Sequence, residues 1–116
     1  MKKNSKKLYL NIFLLIFFFF FLSEKVTALD FEKSGQQIFI ANCSVCHKNG
    51  NNIIIPEKNL KLEALKANGM ENIEAIIYQV TNGKNGMPAF GGRLKEKEIE
   101  KVAKYIIEKA TDDFQE

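Results

Sequence analysis

The chain has 116 residues, with 17 lysines and arginines, 14 aspartates and glutamates, and a formal charge of +3. Its first 28 residues hold five lysines and one glutamate, so the remaining 88 residues carry 12 basic and 13 acidic side chains, a net charge of −1. Such a region lacks the basic surface that binds nucleic acid, and we exclude nucleic acid as a partner. A domain of this size buries a limited core, so a large apolar cofactor would supply much of the interior.

The N-terminal segment has the layout of a signal peptide. Four lysines precede a nearly continuous apolar stretch at residues 8–22, which is shorter than the roughly 20 residues of a membrane-spanning helix. Residues 26–28 are small enough for a signal peptidase to read. We expect cleavage after Ala28, which divides the chain into a signal peptide, 1–28, and a domain, 29–116. An uncleaved N-terminal anchor is the alternative.

The apolar spacing of the domain predicts an all-α fold. Asp30 is expected to cap a first helix whose apolar residues, Phe31, Ile38 and Phe39, run towards a cysteine pair. Three isoleucines at 53–55 follow an Asn/Gly-rich break. With no second strand to pair with, they are expected to form a loop that packs against the cofactor.

Three more helices are predicted after this loop. Asn59 would cap a short helix that ends at residues 68–69, and Asn72 would cap a third helix that ends at Gly83. The last helix is expected at about residues 95–110. Its apolar stripe faces inward and its charged stripe faces solvent.

The strongest chemical signal is the segment Cys43-Ser44-Val45-Cys46-His47, which contains both cysteines of the chain and its only histidine. Two cysteines at this spacing can each add across one vinyl group of a haem, and the adjacent imidazole is then placed as an axial ligand of the iron. We interpret Cys43 and Cys46 as the covalent haem attachment residues and His47 as an iron ligand.

Other chemistries use the same residue types and fit this chain less well. A thioredoxin-like dithiol belongs in an alternating strand and helix pattern, which is missing here. A zinc site would need a carboxylate or a water as its fourth ligand. A disulfide between Cys43 and Cys46 would close a very small, strained loop.

The second axial ligand must come from another residue type, because there is no second histidine. A thioether also ligates haem iron, and Met70 and Met87 are the two methionines beyond the start residue. Met70 lies at a helix junction, where methionine usually fills a gap in a core. Met87 lies in a glycine-rich loop and is followed by Pro88, so we favour Met87. With both axial positions filled, we expect electron transfer and no enzymatic activity.

The motifs at 41–47, 82–84 and 87–94, the last reading Met-Pro-Ala-Phe-Gly-Gly-Arg-Leu, extend this reading over the whole domain. On these residues the chain resembles the class I c-type cytochromes, and within them the cytochrome c6 family. The resemblance implies four helices around one covalently bound haem c. It also implies that the first and last helices cross where Gly35, Phe39 and Tyr105 lie.

The resemblance further implies a soluble, mainly monomeric carrier of single electrons from the cytochrome b6f complex to photosystem I. Residues 1–28 would then be a thylakoid-transfer peptide, and the domain would act in the thylakoid lumen of an algal plastid or a cyanobacterium, without stable membrane insertion after cleavage. Donation to a respiratory terminal oxidase is an alternative. A haem peroxidase or sensor is a weaker one, because no second histidine could act as distal acid or base.

The resemblance also suggests roles for residues around the haem. Gln79 should lie near the haem, with Asn52 as a second candidate, and Arg93 should lie close to the docking face. We also expect the free ring N–H of His47 to bond to a backbone carbonyl, with that of Pro56 as first choice. One departure from the family is Lys95, which stands where a hydroxyl residue often caps the last helix.

Overall fold

The computed structural model describes residues 3–21 and 32–115. The chain divides into two compact units, Met1–Phe31 and Glu32–Glu116. In the first, helix α1 spans Lys3–Phe21, and its apolar side chains are exposed between residues 8 and 20. None of the described helices is long and apolar enough to cross a membrane. The expected cleavage after Ala28 and the expected cap at Asp30 lie outside the described residues.

The second unit is helical, which confirms the predicted all-α class. Its helices are α2 (Gly35–Asn42), α3 (Ser44–His47), α4 (Leu62–Ala67), α5 (Ile73–Asn82) and α6 (Glu96–Thr111). Between residues 32 and 115 there is no strand, and one isolated bridge pairs Lys84 with Met87. The three isoleucines form a loop, as expected, in which Ile53 and Ile54 are exposed.

The first helix of this unit begins later than predicted. Its N-cap is Ser34: the Ser34 hydroxyl accepts from the backbone N–H of Gln37 at 3.2 Å. The Gln37 side chain in turn accepts from the Ser34 N–H at 2.8 Å. This reciprocal pair satisfies two amides at the helix start.

Of the two predicted N-caps of α4 and α5, the first is wrong and the second is confirmed. Helix α4 begins after Lys61, because the Asn59 side chain accepts from the Lys61 N–H at 3.0 Å and forms a turn before the helix. At α5 the Asn72 side chain accepts from the Ala75 N–H at 2.8 Å, as a cap should. Gly83, at φ 68°, ends that helix as predicted.

The crossing of α2 and α6 is confirmed at the three predicted residues. A methyl carbon at Gly35 would collide with the Lys101 carbonyl oxygen and would lie 2.8 Å from Cβ of Tyr105. The ring centroids of Phe39 and Tyr105 are 5.4 Å apart. Glycine at this position therefore allows the two backbones to touch, and the rings pack beside the contact.

Helix α6 lacks a hydroxyl cap, as the sequence indicates. Its N-cap is Lys95, whose side chain makes no capping hydrogen bond. Glu98 accepts from the Lys95 backbone N–H at 2.9 Å, which is one half of a capping box. The inward stripe of α6 is buried, as expected, and consists of Ile99, Val102, Ala103, Ile106 and Ala110.

We predict that Gly35→Ala lowers the free energy of unfolding of the haem-loaded protein by about 1–3 kcal/mol, because the new methyl group forces α2 and α6 apart. Gly92→Ala is the matched control, since a methyl carbon there has no neighbour within 4 Å. Guanidinium unfolding measures both. Equal stabilities of the two variants would contradict the close crossing.

Candidate functional site

A cavity of about 490 Å³ in the second unit gathers the residues that the sequence singled out. This volume is within the roughly 300–1,000 Å³ of typical ligand sites. The sequence-predicted residues that line it are Cys43, Cys46, His47, Asn52, Met70, Gln79, Met87 and Arg93. Much of its wall is apolar, formed by Leu65, Ile76, Val80, Phe90 and Ile106.

One helical turn brings the two cysteines and the histidine together. The Cys43 carbonyl accepts from the N–H of Cys46 at 3.1 Å and from that of His47 at 2.9 Å. Positions three and four apart on a helix are neighbours on one face. The motif spacing therefore places two sulfurs and an imidazole at the same side of the cavity.

The two cysteines are not joined in a disulfide. Cys43 is 9% exposed, and its burial raises the pKa of the thiol to about 11, because a thiolate is poorly solvated there. Cys46 is half-buried. A raised pKa distinguishes Cys43 from the low-pKa cysteines of dithiol oxidoreductases.

The His47 ring is oriented by the backbone a few residues ahead. Its Nδ1 lies 2.9 Å from the Asn51 carbonyl oxygen, and because a carbonyl only accepts, Nδ1 carries the proton and donates. Burial lowers the pKa of His47, and the bond to Asn51 acts in the opposite direction. A neutral ring protonated at Nδ1 leaves the lone pair of Nε2 for a metal.

The prediction that His47 bonds to the Pro56 carbonyl was wrong. That carbonyl accepts from the Asn59 side chain at 2.9 Å instead. Asn49 and Gly50 have φ values of 55° and 73°, so the chain reverses directly after the histidine and returns Asn51 to it. The Gly50 carbonyl accepts from the Leu60 N–H at 2.7 Å and fixes this turn. An Asn-Gly pair after the motif was the sequence signal for it.

Met87 is held in a short backbone bridge. Its N–H donates to the Lys84 carbonyl and its carbonyl accepts from the Lys84 N–H, both at 3.0 Å. A side chain at Gly83 would crowd this bridge, since its first carbon would lie 2.6 Å from the Met87 carbonyl oxygen. The Gln79 side-chain amide lies 3.9 Å from the Met87 sulfur. The loop therefore fixes the backbone of Met87, and Gln79 of α5 lies beside its sulfur.

Met70 also lines the cavity, and its N–H donates to the Leu65 carbonyl at 2.8 Å as α4 ends. Placement in the cavity alone does not choose between the two methionines.

The cavity rim carries positive charge. Its charged lining residues are Lys58, Lys84 and Arg93, and no carboxylate is among the described residues that line the cavity. The Arg93 guanidinium lies 5.0 Å from the centroid of the Phe90 ring, a cation–π geometry.

Asn52 holds the loop below this rim. It accepts from the N–H groups of Ile54 and Ile55 at 3.0 and 2.9 Å, and donates to the Lys58 carbonyl at 2.9 Å. Its three backbone bonds give Asn52 a structural role that the sequence did not indicate.

The lining residues fit a covalently attached haem. Two thiols and one imidazole lie on one helical turn, thioethers lie in the same cavity, and the wall is apolar. Thiols can form thioether bonds to the vinyl groups, and imidazole and thioether are common axial ligands of haem iron.

Comparison with known proteins agrees with this chemistry. A family model described as cytochrome C oxidase, cbb3-type, subunit III matches residues 31–106. The cytochrome c6 of Bumilleriopsis filiformis is 61% identical over 75 residues, which cover 65% of this chain and 87% of the relative. The cytochrome c6 of Cyanidium caldarium is 53% identical over 90 residues, covering 78% of this chain and 82% of the relative.

Among solved structures, cytochrome c6 from the diatom Phaeodactylum tricornutum superimposes with a TM-score of 0.66 at 52% identity, covering 68% of this chain and 93% of that one. The chain therefore belongs to the cytochrome c6 family, and it is an electron-transfer protein with covalently attached haem c, not an enzyme.

Proposed function

We propose that this chain carries single electrons from the cytochrome b6f complex to photosystem I in the thylakoid lumen. In this proposal Cys43 and Cys46 hold the haem, and His47 and Met87 ligate its iron. The observation that carries it is the meeting of these four side chains in one cavity of a cytochrome c6 family member. The signal-peptide layout of residues 1–28 supports export into the lumen.

The bound haem would supply the one-electron couple of its iron. His47 would hold one axial position through Nε2. The bond from its Nδ1–H to Asn51 fixes the ring and makes Nε2 more basic. The apolar wall excludes water and disfavours the additional positive charge of the oxidised state, so it raises the reduction potential.

Met87 is the better candidate for the other axial position because its surroundings act on the sulfur. The bridge to Lys84 fixes the backbone of its loop, and the Gln79 amide lies near the sulfur. An N–H directed at the sulfur reduces electron donation from it, and so favours reduced iron. Met70 instead makes a backbone bond to Leu65 at the end of α4, and this bond does not act on its sulfur.

The cationic rim suits partners with acidic docking faces. Lys58, Lys84 and Arg93 surround the cavity in a domain whose net charge is −1, so the positive charge is concentrated at the site. Such charges speed encounter more than they tighten binding, and their effect is screened over about 10 Å at 0.1 M salt. A carrier that must leave each partner quickly benefits from contacts of this kind.

Donation to a terminal oxidase is the second candidate, because the matching family model describes a subunit of an oxidase. The same cationic rim would serve either acceptor. Comparing the purified protein as a donor to photosystem I and to a terminal oxidase separates the two.

We predict that Met87→Ala removes the sulfur-to-iron band of the ferric spectrum and lowers the reduction potential on the order of 0.1 V, within the roughly 0.8 V that axial ligands span. Met70→Ala is the control, since it also shortens a methionine in the cavity wall. Optical spectra and redox titration of the haem-loaded proteins measure both effects. If the band survives in Met87→Ala and disappears in Met70→Ala, the ligand is Met70.

We predict that Gln79→Leu lowers the reduction potential while the sulfur-to-iron band remains, because the variant removes the amide near the Met87 sulfur and keeps the sulfur itself. Gln36→Leu removes an exposed amide from α2 and should leave the potential unchanged. Redox titration of both variants measures whether the Gln79 amide affects the potential. An unchanged potential in Gln79→Leu would show that the amide does not act on the iron.

We predict that the purified haem-loaded protein accelerates the re-reduction of flash-oxidised photosystem I. At low ionic strength Arg93→Gln should slow this step by about threefold to tenfold, and the difference should shrink as salt is added. Lys97→Gln, an exposed charge on α6 away from the cavity, is the control. No acceleration above background would overturn the photosynthetic assignment.

A further inference from the structure

The chain beyond α6 folds back onto the helix end in an unusual backbone conformation. The Phe114 N–H donates to the Lys109 carbonyl at 2.8 Å. Asp113 and Phe114 have φ values of 53° and 55°, a conformation that an aromatic residue such as Phe114 rarely adopts. Phe114 is nonetheless buried, at 9% exposed. Packing of this ring therefore outweighs the strain of its backbone.

Phe114 is buried against the turn that follows the haem motif. A methyl carbon at Gly50 would collide with Cδ2 of the Phe114 ring and lie 2.7 Å from its Cγ, so the ring occupies the space where a side chain would stand. The Phe39 ring also lies beside it, at 5.9 Å between ring centroids. An ion pair of 3.4 Å between Asp113 and Lys61 lies beside it at the surface.

The turn under Phe114 is the one that orients His47. Gly50 immediately precedes Asn51, whose carbonyl accepts from Nδ1 of His47 at 2.9 Å. Asn49 and Gly50 are both in the left-handed region, so the position of the Asn51 carbonyl depends on how this turn is held. One side is held by the Leu60 bond to the Gly50 carbonyl, and the Phe114 ring lies against the turn itself.

We propose that Phe114 is a positioning residue for the axial histidine: by packing on Gly50 it fixes the Asn51 carbonyl against His47 Nδ1, and so tunes the iron's reduction potential from the far end of the chain. The proposal rests on His47 being an iron ligand. It extends the control of the potential to a residue that does not line the cavity.

The test uses the haem-loaded protein and two readouts that follow the His47 bond. Phe114→Ala should loosen the turn, so that the Nδ1 proton of His47 exchanges with solvent about tenfold faster in the ferrous protein. The imidazole then donates less to the iron, and the reduction potential should rise. His47 is the only histidine, so its imidazole resonances are assigned without ambiguity.

Two further variants separate positioning from simple loss of stability. Ile99→Ala also removes a buried apolar side chain, from α6 and away from the cavity, and should lower the melting temperature without moving either readout. Phe114→Leu keeps an apolar group over Gly50 and should give a smaller shift of the same sign. If Phe114→Ala does not accumulate with haem, the exchange rate and the potential of Phe114→Leu decide between a positioning role and a structural one.

If the Phe114 variants melt earlier but keep the potential and the exchange rate of the unaltered protein, Phe114 is structural only and the proposal fails. If Ile99→Ala changes the reduction potential and the exchange rate of the Nδ1 proton as much as Phe114→Ala does, the effect is not specific to Phe114 and the proposal also fails. A failed ligand assignment looks different. The unaltered ferrous protein would then lack the ring-current-shifted imidazole resonances of a haem ligand.

Discussion

The hydrogen bond from His47 Nδ1 to the Asn51 carbonyl is the contact on which the site depends. It selects the tautomer of a half-buried ring, fixes the plane of that ring, and leaves Nε2 as the nitrogen that can bind a metal. The bond exists because the chain reverses at Asn49 and Gly50, two left-handed residues directly after the motif. A glycine at position 50 serves this turn twice, since it tolerates the backbone conformation and leaves room for the Phe114 ring.

The apolar core and the haem cavity are parts of one structure. Leu65, Ile76, Val80, Phe90 and Ile106 are buried core residues and also cavity wall. A small domain with a limited core of its own would gain most of its remaining interior from the cofactor. The α2–α6 crossing at Gly35 brings residues of both helices into the same core. Binding of haem and folding of the domain are therefore expected to stabilise each other.

Features that depend on local chemistry could be predicted from the sequence. The two thiols and the imidazole meet because residues three and four apart share a helix face, and Asn72 and Gly83 bound α5 through their own side chain and backbone. Features that depend on competition between neighbours could not. Ser34 caps α2 because Gln37 completes a reciprocal pair, and Asn51 replaced Pro56 because the turn brings it back within four residues. The burial of Phe114 is a long-range contact with no local pattern.

The most direct test of the central claim is a high-resolution crystal structure of the haem-loaded protein. We expect thioether bonds from Cys43 and Cys46, iron between His47 Nε2 and the Met87 sulfur, and the His47 bond to Asn51 retained. Iron bound by Met70 or by water in place of Met87 would contradict the ligand assignment. A His47 ring turned away from Asn51 would contradict the account of how the site is held.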